Sequence, residues 1–89
     1  NILLTGNGVI KLADFGLSRS FEKSQRPITP KVGTLWHASP EVLLGGKIYT
    51  TAVDMWAAGL TIGQLLPTDP LLPGDRGNRH QLDLIIKLI

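Results

Sequence analysis

Ala13-Asp14-Phe15-Gly16-Leu17-Ser18-Arg19, followed by Ser39-Pro40-Glu41 beginning 23 residues after the glycine, is the stretch that decides how this chain reads. Asp14 brings a carboxylate, Phe15 a ring that can anchor a turn in a core, and Gly16 a backbone free to bend sharply behind it. Upstream lie two short β-rich runs, Asn1-Ile-Leu-Leu-Thr5 and Val9-Ile-Lys-Leu12, separated by Gly6-Asn7-Gly8. An Asn-Gly pair between apolar runs signals a hairpin, because both residues accept positive φ. Such a hairpin returns Asn1 and Asp14 to one open end, on strands about 4.8 Å apart. A carboxamide oxygen beside a carboxylate is a hard-oxygen donor set, suited to magnesium that keeps waters and bridges phosphates. Taken alone, the two residues serve equally as polar flanks of a hairpin.

Downstream, residues 17–38 are polar and mixed, with Pro27 and Pro30, and read as an extended loop. A loop of that length inside a compact domain is usually functional. Ser39 at the N-cap, Pro40 at the first helical position and Glu41 near the positive helix end predict a helix start, which Gly45-Gly46 then stops. Thr51 caps a longer helix, with Asp54 at its third position, that runs to Leu66 and is halted by Pro67. Pro67, Pro70 and Pro73-Gly74 punctuate a loop continuing through Asn78, and residues 80–89 form a last apolar helix. Trp36 and Trp56 read as core, as do Gly59 and Gly63, small residues four apart on one helix face. His37 and His80 have no ligand-like partners, so metal at either is not expected.

The bulk numbers narrow the field. Eighty-nine residues make one domain at most, and 43% hydrophobic with 18% charged residues describes a globular chain. The net charge of +2 comes from scattered basic residues, which requires neither nucleic acid nor an anionic membrane. There are no cysteines for a disulfide framework or thiolate metal site. The longest apolar stretch, Met55 to Leu66, is too short to span a bilayer. The chain starts at Asn1 and its only methionine is Met55, from which a piece of a longer protein is expected.

Ile28-Thr29-Pro30-Lys31-Val32-Gly33-Thr34-Leu35-Trp36-His37 through Glu41-Val-Leu-Leu-Gly45 resembles the cyclin-dependent kinases, which read T-x-x-V-V-T-L-W-Y-R-A-P-E-x-L-L-G. Tyr49-Thr-Thr-Ala-Val-Asp54-Met-Trp-Ala57 and Pro70-Leu-Leu-Pro-Gly74 continue the register, so the resemblance covers nearly the whole chain. It implies an α+β fold, part of the mostly helical large lobe of a protein kinase: a hairpin over 1–13, an activation segment over 14–41 and a helical part over 42–89. It also implies transfer of the γ-phosphoryl of ATP to a serine or threonine of a protein substrate, with Mg2+ as cofactor. Asp14 then holds the ion bridging the ATP phosphates and Asn1 the second ion. Thr29 becomes the activating phosphorylation site and Arg19 one of the arginines gripping its phosphate. Thr34 matches a threonine that supports the catalytic aspartate and lysine. Glu41 matches a glutamate paired with a late arginine, and Asp54 one that accepts catalytic-loop N–H groups, a role compatible with a capping-box acid. A cyclin partner and a nuclear or cytoplasmic location come from the same resemblance.

The pattern also departs from the family. Gly33 replaces a valine and Ala38 an arginine that in the family together shape the pocket favouring proline after the phosphorylated residue. Alanine has no donor to hold the carbonyl, which puts proline-directed specificity in question. His37 for tyrosine and Ser39 for alanine are milder, and Ser39 is expected to cap its helix better. The spacing over Asp75–Arg79 differs from close relatives and suggests a surface loop. These 89 residues hold no glycine-rich loop, no ATP-binding lysine and no catalytic base, so the chain by itself is expected to be inactive and to fold poorly. The alternative is a non-catalytic truncated or degenerate product that acts by binding substrates or regulators.

Overall fold

A computed structural model describes residues 1–16, 18, 35–46, 50–67 and 69–89. Arg19, Thr29, Gly33 and Thr34, with most of the expected extended loop, lie outside the described residues.

The hairpin forms where the alternating runs place it. β1 (Ile2–Leu4) pairs antiparallel with β2 (Ile10–Leu12), with Ile2 opposite Leu12 and Leu4 opposite Ile10. The turn differs from the expected one. Gly8 takes φ 85° but Asn7 does not adopt positive φ. The Gly8 N–H donates to Thr5 O at 3.1 Å and the Thr5 N–H to Val9 O at 2.9 Å. A turn of this kind needs left-handed backbone at one residue only, and glycine supplies it. The Thr5 hydroxyl closes the loop, accepting the Val9 N–H at 2.9 Å.

A 3-10 turn at Leu35–His37 leads into α1 (Pro40–Leu43), which begins at Pro40 as expected. Ser39, however, makes no side-chain cap. Its residue is 2% exposed and its hydroxyl has no partner among the described residues, while its carbonyl accepts the Val42 and Leu43 N–H groups. Gly45 ends the helix in left-handed backbone at φ 83°. The Gly46 N–H donates to Glu41 O and the Gly45 N–H to Val42 O, the paired bonds of a Schellman stop.

α2 (Ala52–Gly63) begins directly after Thr51, the expected N-cap position, but Thr51 has helical backbone and makes no side-chain cap bond. The Thr50 hydroxyl instead accepts the Ala52 N–H at 3.2 Å. No bond from Asp54 closes a capping box among the described residues. The helix stops at Gly63 rather than Leu66, because proline disfavours helical backbone in the residue before it and glycine is a weak helix former. α3 (Gly77–Leu88) starts three residues before the expected helix. Residues 77–79 are helical, so only the first part of the polar Asp75–Arg79 stretch is loop.

The core is small. Leu43 of α1, Leu72 of the connecting loop and Ile85 of α3 are buried together, with Leu35, Ala38, Trp56, Leu60, Leu71, Leu82 and Leu84 packed around them. Gly63 lies against Leu71, but Gly59 is exposed and meets nothing, so only one of the two glycines serves packing. Ile2, Leu4, Ile10 and Leu12 on the hairpin, and Leu65, Leu66, Ile86 and Ile89 elsewhere, are exposed. Among the described residues, no helix is long and apolar enough to cross a membrane.

Candidate functional site

Strand pairing builds the first part of the site. The Ala13 N–H donates to Asn1 O at 2.8 Å, extending the ladder beyond Leu12 and bringing Asn1 alongside the residue before Asp14. Both Asn1 and Asp14 are exposed at this open end. Asp14 has φ 62°, the one positive φ outside glycine among the described residues. Left-handed backbone costs a non-glycine residue about 1–2 kcal/mol, and such strain concentrates where geometry serves function.

The Asp14 carboxylate is lightly engaged. Oδ1 accepts the Gly16 N–H at a long 3.4 Å, and no other described group bonds it. A Cβ at position 16 would stand 3.3 Å from that same oxygen, so glycine keeps the carboxylate uncrowded. Free carboxylate lone pairs beside a carboxamide residue fit a hard divalent cation that completes its shell with water and phosphate oxygens. Phe15 corrects an expectation: it is 64% exposed, because no described residue forms an apolar layer over the hairpin end. Behind it the Ser18 hydroxyl donates to Phe15 O at 2.7 Å and holds the turn.

The second part of the site is the downstream end of the segment. Ala38 packs against the Leu43, Leu72 and Ile85 core, and its N–H donates to Leu35 O at 3.0 Å. Glu41 and Asp54 are exposed on the first turns of α1 and α2, and no described residue forms an ion pair with either. Trp56 belongs to the core, as expected, though its buried indole N–H has no partner among the described residues. Trp36 is half-buried and spends its indole N–H on Gly74 O at 2.9 Å.

That bond belongs to a network the sequence reading missed. Gln81 is 0% exposed. Its Oε1 accepts the Gly74 N–H at 3.0 Å, and its Nε2 donates to Leu72 O at 2.9 Å. The carboxamide thus satisfies backbone groups on both sides of Pro73. Asn78, one turn earlier on α3, donates to Leu43 O at 3.2 Å and satisfies a carbonyl at the end of α1. A signal for Gln81 was present: it lies four residues before Ile85, on the face that α3 buries, where a polar side chain must find internal partners.

The sequence profile of the Protein kinase domain family matches residues 1–89. Cyclin-dependent kinase 10 of Rattus norvegicus is 49% identical over 89 residues, covering 100% of this chain and 25% of the relative. Cyclin-dependent kinase 11B of Mus musculus is 46% identical over 87 residues, 98% of this chain and 11% of the relative. Cyclin-dependent kinase G-1 of Oryza sativa subsp. indica is 45% identical over 89 residues, 100% of this chain and 13% of the relative. The chain therefore spans a quarter or less of the length of these curated relatives.

Proposed function

This chain belongs to the protein kinase domain family, and we propose that the protein carrying it transfers the γ-phosphoryl of ATP to serine or threonine hydroxyls of protein substrates, in partnership with a cyclin. The observation that carries this reading is Asp14: strained, exposed and lightly bonded, it stands beside Asn1 at the open end of the hairpin. Protein kinase domains in general use ATP with Mg2+. Here Asp14 and Asn1 would hold the metal, and Gly16 keeps the approach to the carboxylate open. Bound magnesium supplies positive charge that offsets the negative charge of the phosphates during transfer.

The chain's own residues do the remaining positioning. The Ala13–Asn1 hydrogen bond holds the backbones of the two strand ends side by side, so only the donor side chains have to settle when nucleotide arrives. Leu35–Ala38, packed on the core, gives the end of the activation segment a fixed footing. Thr29, Arg19, Thr34, Gly33 and Ala38 take the roles implied by resemblance: phosphorylation site, phosphate grip, support of the catalytic residues, and the substrate pocket. Cyclin partnership rests on the similarity to cyclin-dependent kinases over the whole chain, and a nuclear or cytoplasmic location follows from the same likeness. The catalytic base and the ATP-binding lysine are not among these 89 residues, so phosphoryl transfer is proposed for the intact protein and not for this stretch alone.

The test is calorimetric titration of ATP into the intact protein, with and without Mg2+. Tight binding that needs Mg2+ and weakens at least ten-fold on Asp14→Asn is expected. Binding indifferent to both would overturn the assignment.

A further inference from the structure

We propose that Gln81 is a positioning residue for protein substrate, acting through Gly74 and Trp36 on the segment Leu35–Ala38. The proposal rests on the kinase reading above and assigns that site a residue on a distant helix.

Three hydrogen bonds link α3 to the segment in series. The Gln81 carboxamide grips the loop at Leu72 O (2.9 Å) and Gly74 N–H (3.0 Å), and Gly74 O then accepts the Trp36 indole N–H at 2.9 Å. Gripping both sides of Pro73 fixes the two peptide planes that lead into Gly74, and with them the position of the residue whose carbonyl receives the Trp36 indole. Trp36 sits in the 3-10 turn, which packs against both α2 and α3. The same turn carries Leu35, whose carbonyl accepts the Ala38 N–H. That bond ties the turn to Ala38, a pocket residue in the kinase reading. Hydrogen bonds in series within a buried setting reinforce one another, and a change at one end is felt at the other. Gly74 permits the grip: a Cβ there would stand 3.1 Å from Gln81 Cα and overlap its Oε1.

A double-mutant cycle in the intact protein tests this, with Trp36→Phe removing the indole N–H while keeping an aromatic ring and Gln81→Met keeping length but not polarity. Losing one hydrogen bond in the series is expected to raise KM for a peptide substrate about five-fold. KM for ATP and kcat should stay within two-fold. The double variant should be no worse than either single one, since both break the same series. Multiplied effects near 25-fold, or equal losses in peptide and ATP parameters, would overturn the proposal.

Amide hydrogen exchange read by NMR at the Trp36 indole N–H gives a readout that needs no catalysis. Gln81→Met should speed it at least ten-fold, and an unchanged rate overturns the coupling whatever the enzyme does. If Gln81→Met does not fold, Gln81→Asn, one methylene shorter, takes its place with the same expected outcome. An intact wild-type protein that transfers no phosphate would remove the kinase reading and the substrate role with it, while indole exchange alone would decide the coupling.

Discussion

Gly74→Ala should destabilise the protein out of proportion to its single added methyl. Gly74 has no positive φ, so alanine meets no backbone strain there. The cost arises from Gln81 instead. The new Cβ would overlap Oε1 and stand 3.1 Å from both Cδ and Cα of Gln81. Rotating the carboxamide away relieves the first two contacts but forfeits its bonds to Gly74 N–H and Leu72 O, each worth about 1 kcal/mol net. It also strands polar groups in a buried site, at about 1 kcal/mol or more. The contact with Cα cannot be relieved by rotation, so α3 must back away from the loop. Alanine stabilises by about 0.4–1 kcal/mol through the unfolded chain, leaving a net loss of about 2–3 kcal/mol. With a urea m-value of about 2 kcal/mol/M, the midpoint should fall by about 1–1.5 M in an equilibrium melt of the intact protein. Gly59→Ala is the control. Nothing lies within 4 Å of its Cβ, and in a helix interior alanine should stabilise by about 0.5–1 kcal/mol. A Gly74→Ala midpoint equal to wild type would refute the reasoning, as would a Gly59→Ala drop of equal size.

Four further substitutions test local claims, all read as urea midpoints. Ser39→Ala removes a buried hydroxyl without a partner among the described residues and should be neutral or stabilise by up to about 1 kcal/mol, whereas a loss would reveal a bond the hydroxyl does make. Gly45→Ala places a Cβ in left-handed backbone and should cost about 1–2 kcal/mol; no change would mean that the Schellman stop is unimportant. Thr50→Ala should cost about 1 kcal/mol and Thr51→Ala little, because only the Thr50 hydroxyl caps α2, and the reverse order would restore the cap expected from sequence.

Much of this architecture is legible in local signals. Two apolar runs around Asn7-Gly8 specify a hairpin, and Ser39-Pro40 with Gly45-Gly46 bracket α1, because each signal acts within a few residues of what it controls. The errors lie where distant groups decide. Ser39 looks like a cap, but its buried side chain makes no capping bond. Phe15 looks like an anchor, yet an anchor needs a layer to enter, and no described residue provides one. α3 starts three residues before the expected helix because a polar stretch offers several nearly equal starts. The tandem threonines before α2 put the side-chain bond on Thr50 while Thr51 keeps the N-cap position. Asn1 and Asp14 could be placed together from strand pairing alone. Gln81 could not, since its partners lie seven and nine residues away across a proline turn whose shape only tertiary structure fixes.

Transfer of labelled γ-phosphoryl from ATP by the intact protein, purified with the proposed cyclin partner, tests the central claim most directly. The account predicts Mg2+-dependent label on serine or threonine of a protein substrate, reduced at least 100-fold by Asp14→Asn in a variant that melts at the wild-type temperature. Label that survives Asp14→Asn undiminished, or none from the folded wild-type complex, would contradict it and leave binding as the activity these residues serve.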